Sequence, residues 1–282
     1  MIWVTIPITR DLVIRNLDMG LFYIIALSVL SIVGLVTAGW ASSNKYAVLG
    51  GFRAAAQLIS YEIPLILAVL GVAMLAQSLN LENVVNSQGA FSYALIQPLG
   101  LVIFFVAGLA ELGRTPFDIH PAESEVVGGP FVEYSGAHWA VFFLAEYINT
   151  FAIAALTVLL FFGGWLFPGL PGDVSGLGVL VFLIKTYLVI LVIFWVRGTY
   201  PRLRIDQLMS LGWKVLVPLA FVNVVITSVY LFYGWPAWSL SLMSLAILGT
   251  AVWEISRRMR TAPTPEYTVR LYVPSSEASS AG

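Results

Sequence analysis

Seven stretches of continuous apolar sequence leave this chain little choice of fold. Each is near the roughly 20 residues that a helix needs to cross a bilayer. They run at about 20–40, 57–78, 97–113, 139–165, 178–197, 214–233 and 237–255. The runs are continuous rather than alternating, which argues against membrane strands. Of the 282 residues, 59% are hydrophobic and only 10% charged. A water-soluble fold with that balance could not cover its own surface with polar groups. Pro168, Gly169, Pro171 and Gly172, and later Gly234, Trp235 and Pro236, mark two of the short connections. The expected fold is an all-α integral membrane protein, with one polytopic bundle of about seven transmembrane helices over 20–256.

Lys and Arg are distributed unevenly between the two sets of loops. Lys45, Arg53, Arg114, Arg197, Arg202, Arg204 and Lys214 fall on one side, joined by Arg257, Arg258 and Arg260. The connections at 79–96, 166–177 and 234–236 carry Glu82 and Asp173 and no basic residue. The basic side is expected to face the cytoplasm. Loops 41–56, 114–138 and 198–213 then lie inside, and residues 1–19 outside. MIWVTIPI is too short to span and lacks a basic signal-peptide start. It reads either as the end of a partial N-terminal helix or as a short interfacial anchor with Trp3 at the headgroups. The tail 257–282 is basic and then rich in Pro, Ser and Ala, the composition of a disordered cytoplasmic tail. Trp40, Trp165, Trp195, Trp235 and Trp238 fall at helix ends and fit an aromatic belt.

Composition also excludes several functions. A net charge of -1 leaves no basic surface for nucleic acid. With no cysteine there is no disulfide, iron–sulfur ligation or thiol catalysis. His120 and His138 are too few for a bis-histidine haem plus a separate metal site. No phosphate-binding glycine loop and no HExxH is present, so no zinc or other metal site is expected.

The charged residues that remain are concentrated. Between 111 and 146 lie Glu111, Asp118, Glu123, Glu125, Glu133 and Glu146 against Arg114, six acids and one base, on the side that should be positive. Carboxylates crowded in one segment repel, a setting that favours proton exchange near neutrality. Pro116, Phe117, Pro121, Gly128, Gly129, Pro130 and Phe131 suit a folded, inward-tucked segment better than a solvated linker. Within the spans themselves stand Glu62, beside Tyr61 and two residues before Pro64, then Glu146 and Lys185. A lysine at mid-membrane costs about 2.5–3.5 kcal/mol on insertion scales, so Lys185 should face the bundle and meet an acid or water. Any one such residue could simply lock two helices. Glu62, Glu111, Glu146 and Lys185 together in one small bundle favour a proton pathway. Arg114 follows Glu111 by one helical turn, the spacing of a charge pair.

GWASSNKYAVLGGFRAAAQLISYE (39–62), AELGRTPFD (110–118), AESE (122–125), EYSG (133–136), FFLAEY (142–147), FFGGW (161–165), WVRGTYPRLRIDQLM (195–209) and GWKVLVPLA (212–220) occur in that order. Over about 17–230 the chain resembles the quinone-site membrane subunit of proton-pumping NADH:quinone oxidoreductase, respiratory complex I. The resemblance implies a translocase subunit with no redox centre of its own, in a bacterial plasma membrane. FMN and iron–sulfur clusters would sit in partner subunits, and ubiquinone or a related quinone would be reduced at the junction. Peripheral quinone-module subunits, membrane-arm subunits and lipid are the implied partners. Arg114, Phe117, Tyr61 and Tyr147 would line the quinone chamber. Glu62, Glu111, Asp118, Glu123, Glu125, Glu133, Glu146 and Lys185 would serve proton coupling. Family members usually carry a first helix and a long basic loop before the segment that starts here, so a truncation or a separate polypeptide is expected. They also commonly have a carboxylate where Pro121 stands, beside His120. Two other readings are a membrane subunit of an energy-converting hydrogenase or formate hydrogenlyase, and an independent secondary transporter. The transporter would require an internal inverted repeat, and none is visible.

Overall fold

A computed structural model of the chain describes residues 4–10, 12–89, 91–119, 126–166 and 175–261. Among these residues the regular structure is helical throughout. The helices are α1 (Gly20–Ala41), α2 (Lys45–Ala76), α3 (Leu81–Asn86), α4 (Tyr93–Ile96), α5 (Pro98–Glu111), α6 (Gly136–Phe161), α7 (Ser175–Thr199), α8 (Ile205–Leu211), α9 (Val217–Tyr233) and α10 (Ala237–Thr261). A π-helical turn, Gly212–Leu216, fuses α8 to α9. Six spans are long and apolar enough to cross a membrane: α1, α2, α6, α7, the fused 205–233 helix and α10. The third apolar run is shorter. It forms the 14-residue α5, about 21 Å at 1.5 Å per residue, which Gln97 separates from the short α4 in the preceding connection.

Helix α2 is the hub, with α1, α5 and α9 all packed along it. Its start corrects the sequence reading, which placed a loop over 41–56. The loop is only Ser42–Asn44, and Asn44 caps α2 by accepting the Tyr46 amide at 3.0 Å. Hydropathy missed the first three turns because Lys45, Arg53 and several small residues dilute the apolar signal. Those small residues serve close packing. A Cβ on Gly50 would lie 2.5 Å from the Gly129 Cα, so the 3-10 turn Gly129–Phe131 rests directly on the α2 backbone.

The loops sort into two ends. At one, Asn44 donates to Glu133 at 2.7 Å, Tyr134 donates to the Ala38 carbonyl at 3.2 Å, and the Leu203 amide donates to Pro116 at 3.0 Å. At the other, Asn16 donates to Glu82 at 2.6 Å and Arg10 pairs with the same carboxylate at 3.4 Å. The first end gathers loops of the basic set, and the second joins the 79–96 connection of the base-poor set to residues 1–19, which bring Arg10 and Arg15. The described part of residues 4–19 forms turns and bends, with no α-helix before Gly20, and Thr5, Ile6 and Thr9 are buried. The expected partial N-terminal helix is therefore absent among the described residues. Of the five belt tryptophans, Trp40, Trp195, Trp235 and Trp238 are exposed, whereas Trp165 folds inward.

Candidate functional site at the basic end

The AELGRTPFD segment turns sharply where α5 ends. Gly113 adopts φ +59°, a left-handed conformation that costs a glycine little, and the chain leaves the helix axis there. Arg114 is carried away from Glu111, so the expected pair between them does not form. Instead the Arg114 Nε contacts the Glu146 carboxylate of α6 at 3.1 Å. The guanidinium lies over the Tyr147 ring, 5.1 Å from its centroid. Arg114 is buried, and its Nη2 has no hydrogen-bond partner among the described residues. Asp118 and Arg197 are near enough to act on Glu146 electrostatically. Two acids thus face two bases.

These four residues line a cavity of about 380 Å³. Its aromatic wall includes Trp139, Phe142 and Phe143 of α6, joined by Phe131 and Tyr134. Trp139 stacks on Phe143 at 4.9 Å, and Phe143 meets Tyr147 edge-on at 4.9 Å. Trp139, Phe142, Phe143 and Glu146 stand at i, i+3, i+4 and i+7, one face of a helix. That spacing was available in the sequence and marks the wall.

Tyr61 and Phe117, expected in the chamber, do not line this cavity. They pack on each other at 5.5 Å, both buried, and the Tyr61 hydroxyl donates to the Leu208 carbonyl at 2.9 Å. Burying both rings fastens α2 to the AELGRTPFD turn and to α8. Gln57 does similar work and was not singled out from sequence. Its amide donates to the carbonyls of Ala110 and Phe117, each at 2.7 Å, tying both arms of the turn to α2. Its only sequence signal is a lone amide within AAAQLI.

The carboxylates divide into separate settings. Glu62 of α2 and Glu111 of α5 are close enough to repel one another. Glu62 lies beside Ser28 of α1, and its Oε1 is buried with no hydrogen-bond partner among the described residues. Glu133 accepts from Asn44 and fastens the loop to the α1–α2 corner. Glu123, Glu125, His120, Pro121 and the tail from 262 onward lie outside the described residues.

Lys185 joins none of these groups. Its ammonium donates to three carbonyls, Phe162 at 2.8 Å, Gly164 at 3.1 Å and Leu166 at 2.6 Å. These lie in the turn just past the C-terminus of α6, and backbone carbonyls stand where an acid was expected. Lys185→Met should strand three carbonyls and weaken the α6–α7 connection by about 1–3 kcal/mol. Less assembled complex should survive mild heating on a native gel, with the turnover of the surviving fraction within about twofold of wild type.

An all-α polytopic membrane bundle with an ion-paired, aromatic-walled chamber at its basic end is the class that fold and site define. The family described as NADH dehydrogenase matches residues 1–228. Curated relatives, each named as the H-type subunit of NADH-quinone oxidoreductase, include one from a Geobacillus species, 50% identical over 232 residues, or 81% of this chain and 68% of the relative. Those of Anoxybacillus flavithermus and Bacillus cereus are 50% and 48% identical, with the same coverage. The chain belongs to this family of multi-pass membrane subunits of NADH-quinone oxidoreductase, complex I, and other complex I subunits are its partners. The matches do not favour the hydrogenase-type subunit or the independent transporter.

Proposed function

We propose that this chain forms part of the quinone chamber of the complex and couples quinone reduction to proton movement. The carrying observation is the cavity in which buried Arg114, paired with the half-buried Glu146, meets an aromatic wall. A quinone has a flat apolar ring with carbonyl acceptors. Aromatic faces supply contact for the ring, and Arg114, still holding an unused donor, suits a carbonyl or the charge that develops on reduction. As the family resemblance implies, electrons would arrive from FMN and iron–sulfur centres of partner subunits; this chain has no cysteine for cluster ligation. Glu62 and Glu111 carry the proton exchange. Glu146 and Asp118 connect that exchange to the chamber, and Glu123 and Glu125 extend it along the acidic loop.

The basic end faces the cytoplasm of a bacterial plasma membrane and receives the peripheral quinone-module subunits. The exposed apolar flanks of α1, α7 and α10 meet lipid and membrane-arm subunits. A photoactivatable quinone analogue should label residues 139–146, and Phe143→Ala should reduce that labelling severalfold. Labelling confined to other helices would remove the chamber from this site. Orientation is checked with single cysteines, interpretable because the chain has none. Arg204→Cys should react with an impermeant reagent from the cytoplasmic side, and exposed Asn86→Cys only from the opposite side. The reverse pattern would invert the topology.

A further inference from the structure

The break between α4 and α5 has its own chemistry, away from the carboxylates. Gln97 stands between α4 and α5 with φ -130° and ψ 63°, and Pro98 has no N–H to offer the Ala94 carbonyl. Buried non-helical backbone persists only where protein or enclosed water satisfies it. The Gln97 side chain turns inward and is fully buried. Its Nε2 donates to Asn223 Oδ1 at 3.1 Å and to Thr227 Oγ1 at 2.9 Å, both on α9. The Thr227 hydroxyl donates in turn to the Asn223 carbonyl at 2.8 Å. Asn223 and Thr227 are also buried.

Two atoms of this cluster stay unmatched among the described residues, the acceptor Gln97 Oε1 and the donor Asn223 Nδ2. Helix α2 meets the cluster with Gly71, where a Cβ would lie 2.7 Å from Gln97 Nε2 and 3.0 Å from Asn223 Nδ2. The glycine lets the amides approach but brings no polar side chain to them. Buried polar groups left unpaired are costly, and hydrocarbon offers no replacement partner. An orphan donor and an orphan acceptor in one cluster are complementary to a single water.

We infer that Gln97, Asn223 and Thr227 form an internal water site, the water accepting from Asn223 Nδ2 and donating to Gln97 Oε1. The site belongs to the half of the bundle away from the chamber. Gly71 lies near the end of α2 and nine residues beyond Glu62, about 13 Å along the helix. Buried Leu65, Ala68 and Val69 fill the interval. The water therefore fixes the α4–α5 break and does not extend the carboxylate set.

The test is a cryo-electron map of the assembled complex, sharp enough to show buried waters elsewhere. It should carry a peak within hydrogen-bond distance of both atoms, and Asn223→Leu should abolish that peak. A wild-type map with other buried waters but none here would overturn the inference, as would a peak that survives Asn223→Leu. A milder change, Thr227→Val, should leave the ratio of protons pumped to quinone reduced unchanged. A lowered ratio in the assembled complex would overturn the separation from the carboxylates.

Discussion

Arg114→Ala is expected to lower quinone reduction by the assembled complex about a hundredfold, while NADH oxidation by an artificial acceptor stays near wild type. The magnitude follows from the donor that is lost. Removing one preorganised donor from where negative charge develops costs on the order of a hundredfold in rate. The change also takes from Glu146 its contact with Arg114 at 3.1 Å, leaving Arg197 as the base near it. The substitution also removes the cation over Tyr147. Arg114→Lys should recover only part of the activity. A lysine keeps the charge but lacks the planar fork that meets Glu146 and covers a ring at once. Equal loss of both activities would mean failed assembly, and full quinone reduction in Arg114→Ala would exclude the residue from the chamber.

Glu62→Gln is the second large effect. Glu62 faces Glu111 across the α2–α5 contact and has no ion-pair partner among the described residues. A neutral isostere there strands no opposite charge, so the complex should assemble. A glutamine cannot take up and release a proton, whereas a shorter aspartate can, across a longer gap. Quinone reduction should fall in the order Glu, Asp, Gln, with at least a tenfold loss for Gln. Glu146→Gln is a less clean test, because it leaves Arg114 unpaired as well as removing a titratable group.

The legibility of this chain follows the range of the forces involved. Continuous apolar runs gave the spans directly, since lipid imposes the same demand on every helix along its length. Span edges were less visible. The first turns of α2 are held by glycine contacts and an asparagine cap, which hydropathy does not register. The edge of the third run at Gln97 was visible, but not the short α4 before it or the buried amide contacts that Gln97 makes. The acidic segment was visible as a cluster, but its wiring was not. The spacing of Glu111 and Arg114 assumes a continuing helix, and Gly113 ends it. Lys185 appeared as a proton-path candidate because sequence shows the cost of burying a charge and not the three carbonyls that accept it. The aromatic wall on α6 was present as a helical spacing. Tyr61 and Phe117 were chosen for ring chemistry, although their packing partners decide where the rings point.

In the proposed function, carboxylates of this chain pass protons coupled to quinone reduction. Proton movement is measured with a pH-sensitive dye in vesicles holding the assembled Glu62→Gln complex, beside wild type and Glu62→Asp. Pumping and quinone reduction should fall together in Glu62→Gln, with Glu62→Asp between. Full pumping by the assembled Glu62→Gln complex would exclude Glu62 from the proton path and overturn the proposed coupling.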